Sequence, residues 1–262
     1  MFVQQQQAIN LGDHGRMSLV SATGVVGGIK EYTIRGIQQL PIILGSTSLL
    51  FTIATGSIAH ANMVIGLGIV APLYTYVLQM ILTSILDKFA PKQKLSWTRS
   101  TSPVCNILTS YDPQPVSFYS SANQSAAQSV PSYWLMEVAF FIGYALSNAI
   151  DSLQTPAQAN SDPQHIEKRN SSAIFLIVAL AILSVLVLFV RFSVMRGCEG
   201  NGTLGIILSI VAAFGASGIG YSMYRFSRQC GSRSSDLFGI LSQILPASST
   251  SQNPAPVVCS AD

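Results

Sequence analysis

From Ser171 to Val190 the chain reads SSAIFLIVALAILSVLVLFV, twenty residues without a charge, fenced by Glu167, Lys168 and Arg169 before and by Arg191 after. At about 1.5 Å of rise per residue this stretch covers about 30 Å, the thickness of a bilayer's hydrocarbon core. Its apolar residues fall on every face, whereas a surface helix of a soluble domain keeps one side polar. The pattern predicts a transmembrane helix. Upstream, Leu40 to Leu86 runs for 47 residues without Asp, Glu, Lys or Arg, twice what one crossing needs. It predicts two spans, Leu40–Ile58 and Met63–Leu86, with His60 and Asn62 marking the turn between them.

Two further spans complete the count. Pro131 to Ile150 (PSYWLMEVAFFIGYALSNAI) opens with a proline suited to a first helical turn, and its Tyr133 and Trp134 sit where an aromatic belt belongs. Thr203 to Tyr224 carries Ala212, Ala216 and Gly220 at small-xxx-small spacing, a seam along which membrane helices approach closely. The same principle predicts that the hydroxyls of the first span, Ser46, Thr47, Ser48, Thr52 and Thr55, bond across a helix contact. The fold class expected is therefore all-α, a polytopic transmembrane bundle of about five spans.

The polar stretches set the boundaries. Residues 1–36 form a polar arm, whose end (Ile29 to Ile37) reads either as a short interfacial helix or as irregular chain. Residues 37–86 form the transmembrane hairpin, 87–130 a polar loop rich in Ser, Gln and Pro, 131–230 a three-span bundle, and 231–262 a tail. A loop of that composition buries little apolar surface alone, so it is either flexible or ordered by a partner. In the tail, Leu237, Leu241, Ile244 and Leu245 share one face of a short amphipathic helix that stops at Pro246.

Composition agrees with this plan: 10% of residues are charged, 49% are hydrophobic, and mean hydropathy is +0.44, far from the roughly 25% charged fraction of soluble domains. The net charge of +3 is spread along the chain, so no basic block points to nucleic acid. The N-terminus has neither a basic n-region nor an apolar h-region, and insertion is expected to begin at the first internal span. No lipidation box stands at either end.

With five spans, nine Lys/Arg lie on the side of the N-terminus, the 87–130 loop and the 191–202 link, against five on the other. The positive-inside rule then predicts a cytosolic N-terminus. Cys105 and Cys198 share one side and Cys230 and Cys259 the other, so two disulfides or four thiols are both compatible with the spacing. Asn-x-Ser/Thr occurs at Asn123, Asn170 and Asn201, with no glycans expected in this orientation.

Candidate chemistry is thin. Glu137, Tyr144, Asn148 and Asp151 share a face of the third span that must turn to protein or water, because polar groups facing lipid cost a few kcal/mol each. Glu137 and Asp151 could line an ion path, or simply bond neighbouring hydroxyls. Gly215-Ala216-Ser217-Gly218 and His60-Ala61-Asn62 resemble the serine and histidine segments of rhomboid intramembrane proteases, but helix order and span number depart from that family. The glycines also suit a packing seam. His14, His60 and His165 are scattered, no Cys/His spacing suits zinc, and no phosphate-binding or dinucleotide motif is present. The reading is a non-enzyme with no catalytic residue, metal, cofactor or small-molecule substrate.

One broader pattern carries a resemblance: Pro131-Ser132-Tyr133-Trp134, Glu137, Phe140-Phe141, Gly143-Tyr144 and Asn148, then Arg191 and Cys198, then Cys230-Gly231, Asp236 and Phe238-Gly239-Ile240. Over about residues 131–246 it resembles the multi-span structural membrane proteins of large icosahedral double-stranded DNA viruses, of the chlorella-virus group. The resemblance implies a membrane-embedded minor capsid protein in the virion inner membrane or a host-derived membrane. Its partners would be lipid and shell proteins. A channel or transporter subunit is the alternative, kept open by Gly66, Gly68 and Pro72, although no internal repeat supports it.

Overall fold

The computed structural model describes residues 32–89, 97–99, 105, 129–155, 163–195, 197–229 and 237–238. Residues 1–37 make one compact unit, whose described part, from Tyr32, is helical; residues 38–262 make the other, and hold the bundle. Among the described residues all regular structure is helical, and strand-like pairing is confined to the isolated bridges Thr98–Ser129 and Gly197–Gly200.

The bundle has five helices: α1 (Leu40–Thr55), α2 (Ile58–Phe89), α3 (Tyr133–Gln154), α4 (Pro163–Phe189) and α5 (Thr203–Gln229). The last four are long and apolar enough to cross a membrane. The first, with 16 residues, reaches that length only together with the Tyr32–Gln38 helix before it.

Local chemistry sets where these helices begin and end. α1 carries a proline in its first turn and stops at Gly56, whose φ of 64° suits only a residue without a Cβ; its N–H bonds Thr52 O at 2.8 Å. The hairpin thus turns at Gly56–Ser57, not at His60 and Asn62. Those two are helical because neighbouring helices serve them: the His60 ring stacks on Phe51 with centroids 5.3 Å apart, and Asn62 Nδ2 donates to Met223 O at 3.0 Å. α3 starts at Tyr133 rather than in the Pro131 turn, because the Ser132 hydroxyl caps it by accepting from Leu135 N–H. Pro131 precedes the helix, in a cis peptide with Val130.

α4 runs on through a π-helical turn, Val190–Val194. That turn carries Arg191, the charge that closes the apolar run, to full burial. A second π-helical segment, Gly66–Val70, lies within α2. The hydroxyls of α1 also depart from expectation: Ser46, Thr47, Ser48, Thr52 and Thr55 all donate to carbonyls three or four residues back in their own helix. A short side chain reaches its own preceding turn sooner than a neighbouring helix.

Cross-contacts fix the directions. Gly143 of α3 lies against Ser217 of α5 and Asp151 pairs with Arg228, so α3 and α5 run parallel, in the most extensive contact of the bundle. α2 opposes both, since Asn62 reaches Met223 O and Tyr74 OH reaches Ala212 O at 3.3 Å. α4 opposes α3, with Arg169 bonding Thr155 O and Arg191 over Trp134. One end of the bundle, the loop end, therefore gathers the end of α2, the start of α3, the end of α4 and the start of α5.

Between α2, α3 and α5 the space is filled by Met63, Leu67, Ala71, Phe140, Tyr144 and Tyr224, joined by Leu237. Leu237 and Phe238 are not helical; the rest of the expected tail helix, Leu241, Ile244 and Leu245, lies outside the described residues. Burial and apolarity run in opposite order. The most apolar 18 residues of α4 are 17% buried, while those of α3, the least apolar of the four, are 61% buried. In water that order would be unfavourable, but against hydrocarbon an outward Phe175 or Val185 costs nothing, and van der Waals packing around small residues holds helices together.

Candidate functional site: a buried polar cap at the loop end

Two backbone segments that flank the long polar loop are drawn onto the loop end. Val130 N–H donates to Trp97 O at 3.0 Å, and Asn201 N–H donates to Thr98 O at 3.1 Å, so residues 97–99 run as a strap between the entry to α3 and the entry to α5. Trp97, Thr98 and Arg99 are all buried. Beyond the strap, Cys105 is bonded to Cys198, with Cα atoms 5.1 Å apart. Cys230 and Cys259 lie outside the described residues.

Glu199 stands at the centre. Its Oε1 accepts from Arg191 Nε at 2.7 Å and from Ser132 Oγ at 2.5 Å, and its Oε2 accepts from Ser132 N–H at 3.4 Å. Its backbone carbonyl takes the Ser209 hydroxyl of α5 at 3.0 Å. The Arg191 guanidinium lies 4.6 Å from the centroid of the Trp134 ring and donates to Cys105 O at 3.4 Å. Gln79, in the second half of α2, donates to Pro131 O at 2.6 Å. All four long helices thus meet in one set of bonds.

The side chains of Arg191 and Glu199 are 0% and 1% exposed. Such a pair is costly to desolvate and is held by saturating its donors and acceptors. A carboxylate with both oxygens occupied fastens segments together. Nearby, burial pulls the Arg99 guanidinium below its ordinary pKa, while the Glu199 charge pushes it back up.

The opposite end carries a smaller polar ladder. Asn148 Nδ2 donates to Tyr224 OH at 3.0 Å, that hydroxyl donates to Asp151 Oδ2 at 3.3 Å, and Asp151 pairs with Arg228. Tyr144, from the same face, donates to Ala59 O at 2.8 Å. Glu137, the fourth polar residue of this face, has no hydrogen bond or ion pair with the described residues and is half-buried. The face is therefore a set of helix-to-helix ties through Tyr144, Asn148 and Asp151, with Glu137 apart from them.

Ala212, Ala216 and Gly220 are buried, and a Cβ on Gly220 would strike the Phe140 carbonyl. Serine and histidine of the protease-like motifs do not meet. The contacts Asn62–Met223 and Tyr74–Ala212 place Ser217 level with residue 68 or so, which leaves His60 about 12 Å further along the axis at about 1.5 Å per residue. No three His, Cys, Asp or Glu side chains gather into a metal-binding group among the described residues.

The residues that pattern reading overlooks are Trp97 and Glu199, while Ser132 enters only within a resemblance and Arg99 only as one of the loop's charges. The signal available was a lone Glu beside Cys198 and a Trp-Thr-Arg cluster inside an otherwise polar loop. Gly143 had its place only within a resemblance, not as a packing residue.

The molecule defined by these features is an all-helical chain with four helices, or up to five, long and apolar enough to cross a membrane, bolted together at one end by a disulfide and a buried ion pair. Set against protein-family models, curated proteins and solved structures, the chain matches none.

The disulfide closes a span of 93 residues, for which loop entropy alone gives about 4–5 kcal/mol. Replacing Cys105 and Cys198 together by Ser is expected to lower stability by about 2–5 kcal/mol. Thermal unfolding of the purified chain in detergent, with and without reductant, measures it; reduction should shift the parent and leave the double variant where it is.

Proposed function

We propose that this chain is a structural, multi-pass membrane protein that presents its long polar loop to a protein partner. In the form the resemblance suggests, it is a minor capsid protein tying an outer shell to an inner membrane. The observation that carries the reading is the cap. Both flanks of the loop, at Trp97–Arg99 and at Ser129–Ser132, and Cys105 as well, are fastened to the ends of four helices. Fixing the base of a loop removes part of the entropy a partner would otherwise have to overcome on binding. The helices anchor, the cap transmits load from loop to helices, and no bond is made or broken.

The test is fractionation with site-specific crosslinking. A photo-crosslinker placed at Ser117 is expected to couple the chain to a shell protein in purified particles. Recovery from cellular membranes alone, without such adducts, would sink the proposal. A channel or transporter subunit is the second reading, favoured by the π-helical segment Gly66–Val70 and by the half-buried Glu137. It predicts ion or proton flux into liposomes that Glu137→Gln abolishes; the anchor reading predicts none. Against a pore, the space between α2, α3 and α5 is filled with side chains, and a Cβ on Gly66 would already overlap the Phe140 ring.

A further inference from the structure

We infer that the loop end of the bundle faces an oxidising compartment. The chain between α2 and α3 then lies on the luminal or exterior side, and Asp151, Arg169 and Arg228 lie at the cytosolic end, the reverse of the orientation given by counting Lys and Arg along the sequence. The inference rests on the helices spanning a membrane and is independent of what the loop binds.

The cap supplies the first reason. Cys105 and Cys198 enter it from different loops and are joined there, both almost wholly buried. Forming the bond takes two electrons and two protons from the two thiols. A disulfide-bearing oxidant accepts them through a mixed disulfide and leaves as its dithiol. Such oxidants act in the lumen or outside the cell, whereas cytosolic thiols are kept reduced. Both cysteines sit at one end, so a single compartment suffices.

The second reason is that the charge bias has no fixed sign, because it depends on whether the short α1 crosses. Four helices qualify as spans on their own, and Arg16, Lys30 and Arg35 precede all of them and precede the shorter α1 as well. Between the four, chain order gives the loop end Lys88, Lys92, Lys94, Arg99, Arg191 and Arg196, and gives the other end Lys168, Arg169, Arg225, Arg228 and Arg233. Arg99, Arg191 and Arg169 are buried within the protein, at 8%, 0% and 4% exposure. Removing them leaves four on each side between the four helices, and Arg16, Lys30 and Arg35 join the loop end if α1 crosses and the other end if it does not, so the count is seven to four with a sign set by α1 alone. The disulfide then decides alone.

The experiment uses the full chain, synthesised with endoplasmic-reticulum microsomes, with Asn123, Asn170 and Asn201 changed to Gln and a single Asn-Ser-Thr acceptor inserted. One version carries it between Ser117 and Phe118, the other after Asp262. The first is expected to gain one glycan, removable by endoglycosidase, and the second none. In a Cys230→Ser, Cys259→Ser background, Cys105 and Cys198 should take up polyethylene-glycol maleimide only after reduction. A glycan on the tail acceptor, or alkylation of Cys105 and Cys198 without reduction, overturns the orientation. Release of the chain by alkaline carbonate overturns the membrane reading beneath it, so the two failures are told apart.

Discussion

Replacing Arg191 by Met is expected to be the most damaging single change at the cap, costing about 3–5 kcal/mol, because it takes the paired guanidinium away from the buried Glu199 carboxylate. Arg191 supplies the 2.7 Å bond to Glu199 Oε1, and its loss leaves that carboxylate with the Ser132 hydroxyl and N–H and the nearby charge of Arg99. The double variant Arg191→Met, Glu199→Gln should recover most of the loss, since a neutral amide needs no counter-charge and can still meet the Ser132 hydroxyl. Arg191→Lys should fall between them. A lysine keeps the charge but not the planar group that lies over Trp134 while also reaching Cys105 O. Unfolding by graded SDS in mixed micelles, read by helix content, gives the ranking. If Arg191→Met alone is as stable as the parent, the ion pair is not holding the loop end together.

The second large effect is expected where α3 and α5 touch backbone to backbone. A Cβ on Gly143 would overlap the Ser217 carbonyl, and one on Gly220 would overlap the Phe140 carbonyl. Overpacking in a core that can relax costs about 1–3 kcal/mol. Here the obstacle is the main chain of a neighbouring helix, which cannot swing aside, so Gly143→Leu or Gly220→Leu should cost at least about 3 kcal/mol and force the helices apart. The separation also breaks the Asn148–Tyr224 and Asp151–Tyr224 bonds that depend on it. Gly218 is the internal control: it lies on the same helix as Gly220 with open space around it, and Gly218→Ala should leave stability unchanged or raise it by up to about 1 kcal/mol through helix propensity. Crosslinking between α3 and α5, together with the same SDS titration, tests both arms. Equal tolerance at Gly143 and Gly218 would mean that these helices do not pack as described.

Together the two predictions divide the stability of the bundle into a polar clamp at one end and a small-residue seam through the middle. The seam was half legible. Ala212, Ala216 and Gly220 announce a close approach by their spacing, but a stripe on one helix does not say which residue of which partner fills it. Gly143 sits among aromatic neighbours where no stripe is visible, and only the parallel register of α3 and α5 brings it against Ser217.

What the residues in order determined was the set of rods. Charge-free runs of hydrocarbon length, with polar intervals between them, specify helices long and apolar enough to cross a membrane, because a helix satisfies its backbone groups within itself. Small side chains and hydroxyls likewise follow local rules, which is why the hydroxyls of α1 turned back to their own carbonyls. What only the tertiary structure decided was the fate of the charges. Arg99, Arg191 and Glu199 look like ordinary polar-loop and helix-end residues, because burial and pairing depend on segments about ninety residues apart in the chain meeting at one end of the bundle. The same meeting joined Cys105 to Cys198 and turned Arg99 and Arg191, two of the counted basic residues, into internal ones. A charge acts on membrane orientation only through the solvent it faces, and that solvent is set by packing, not by sequence position.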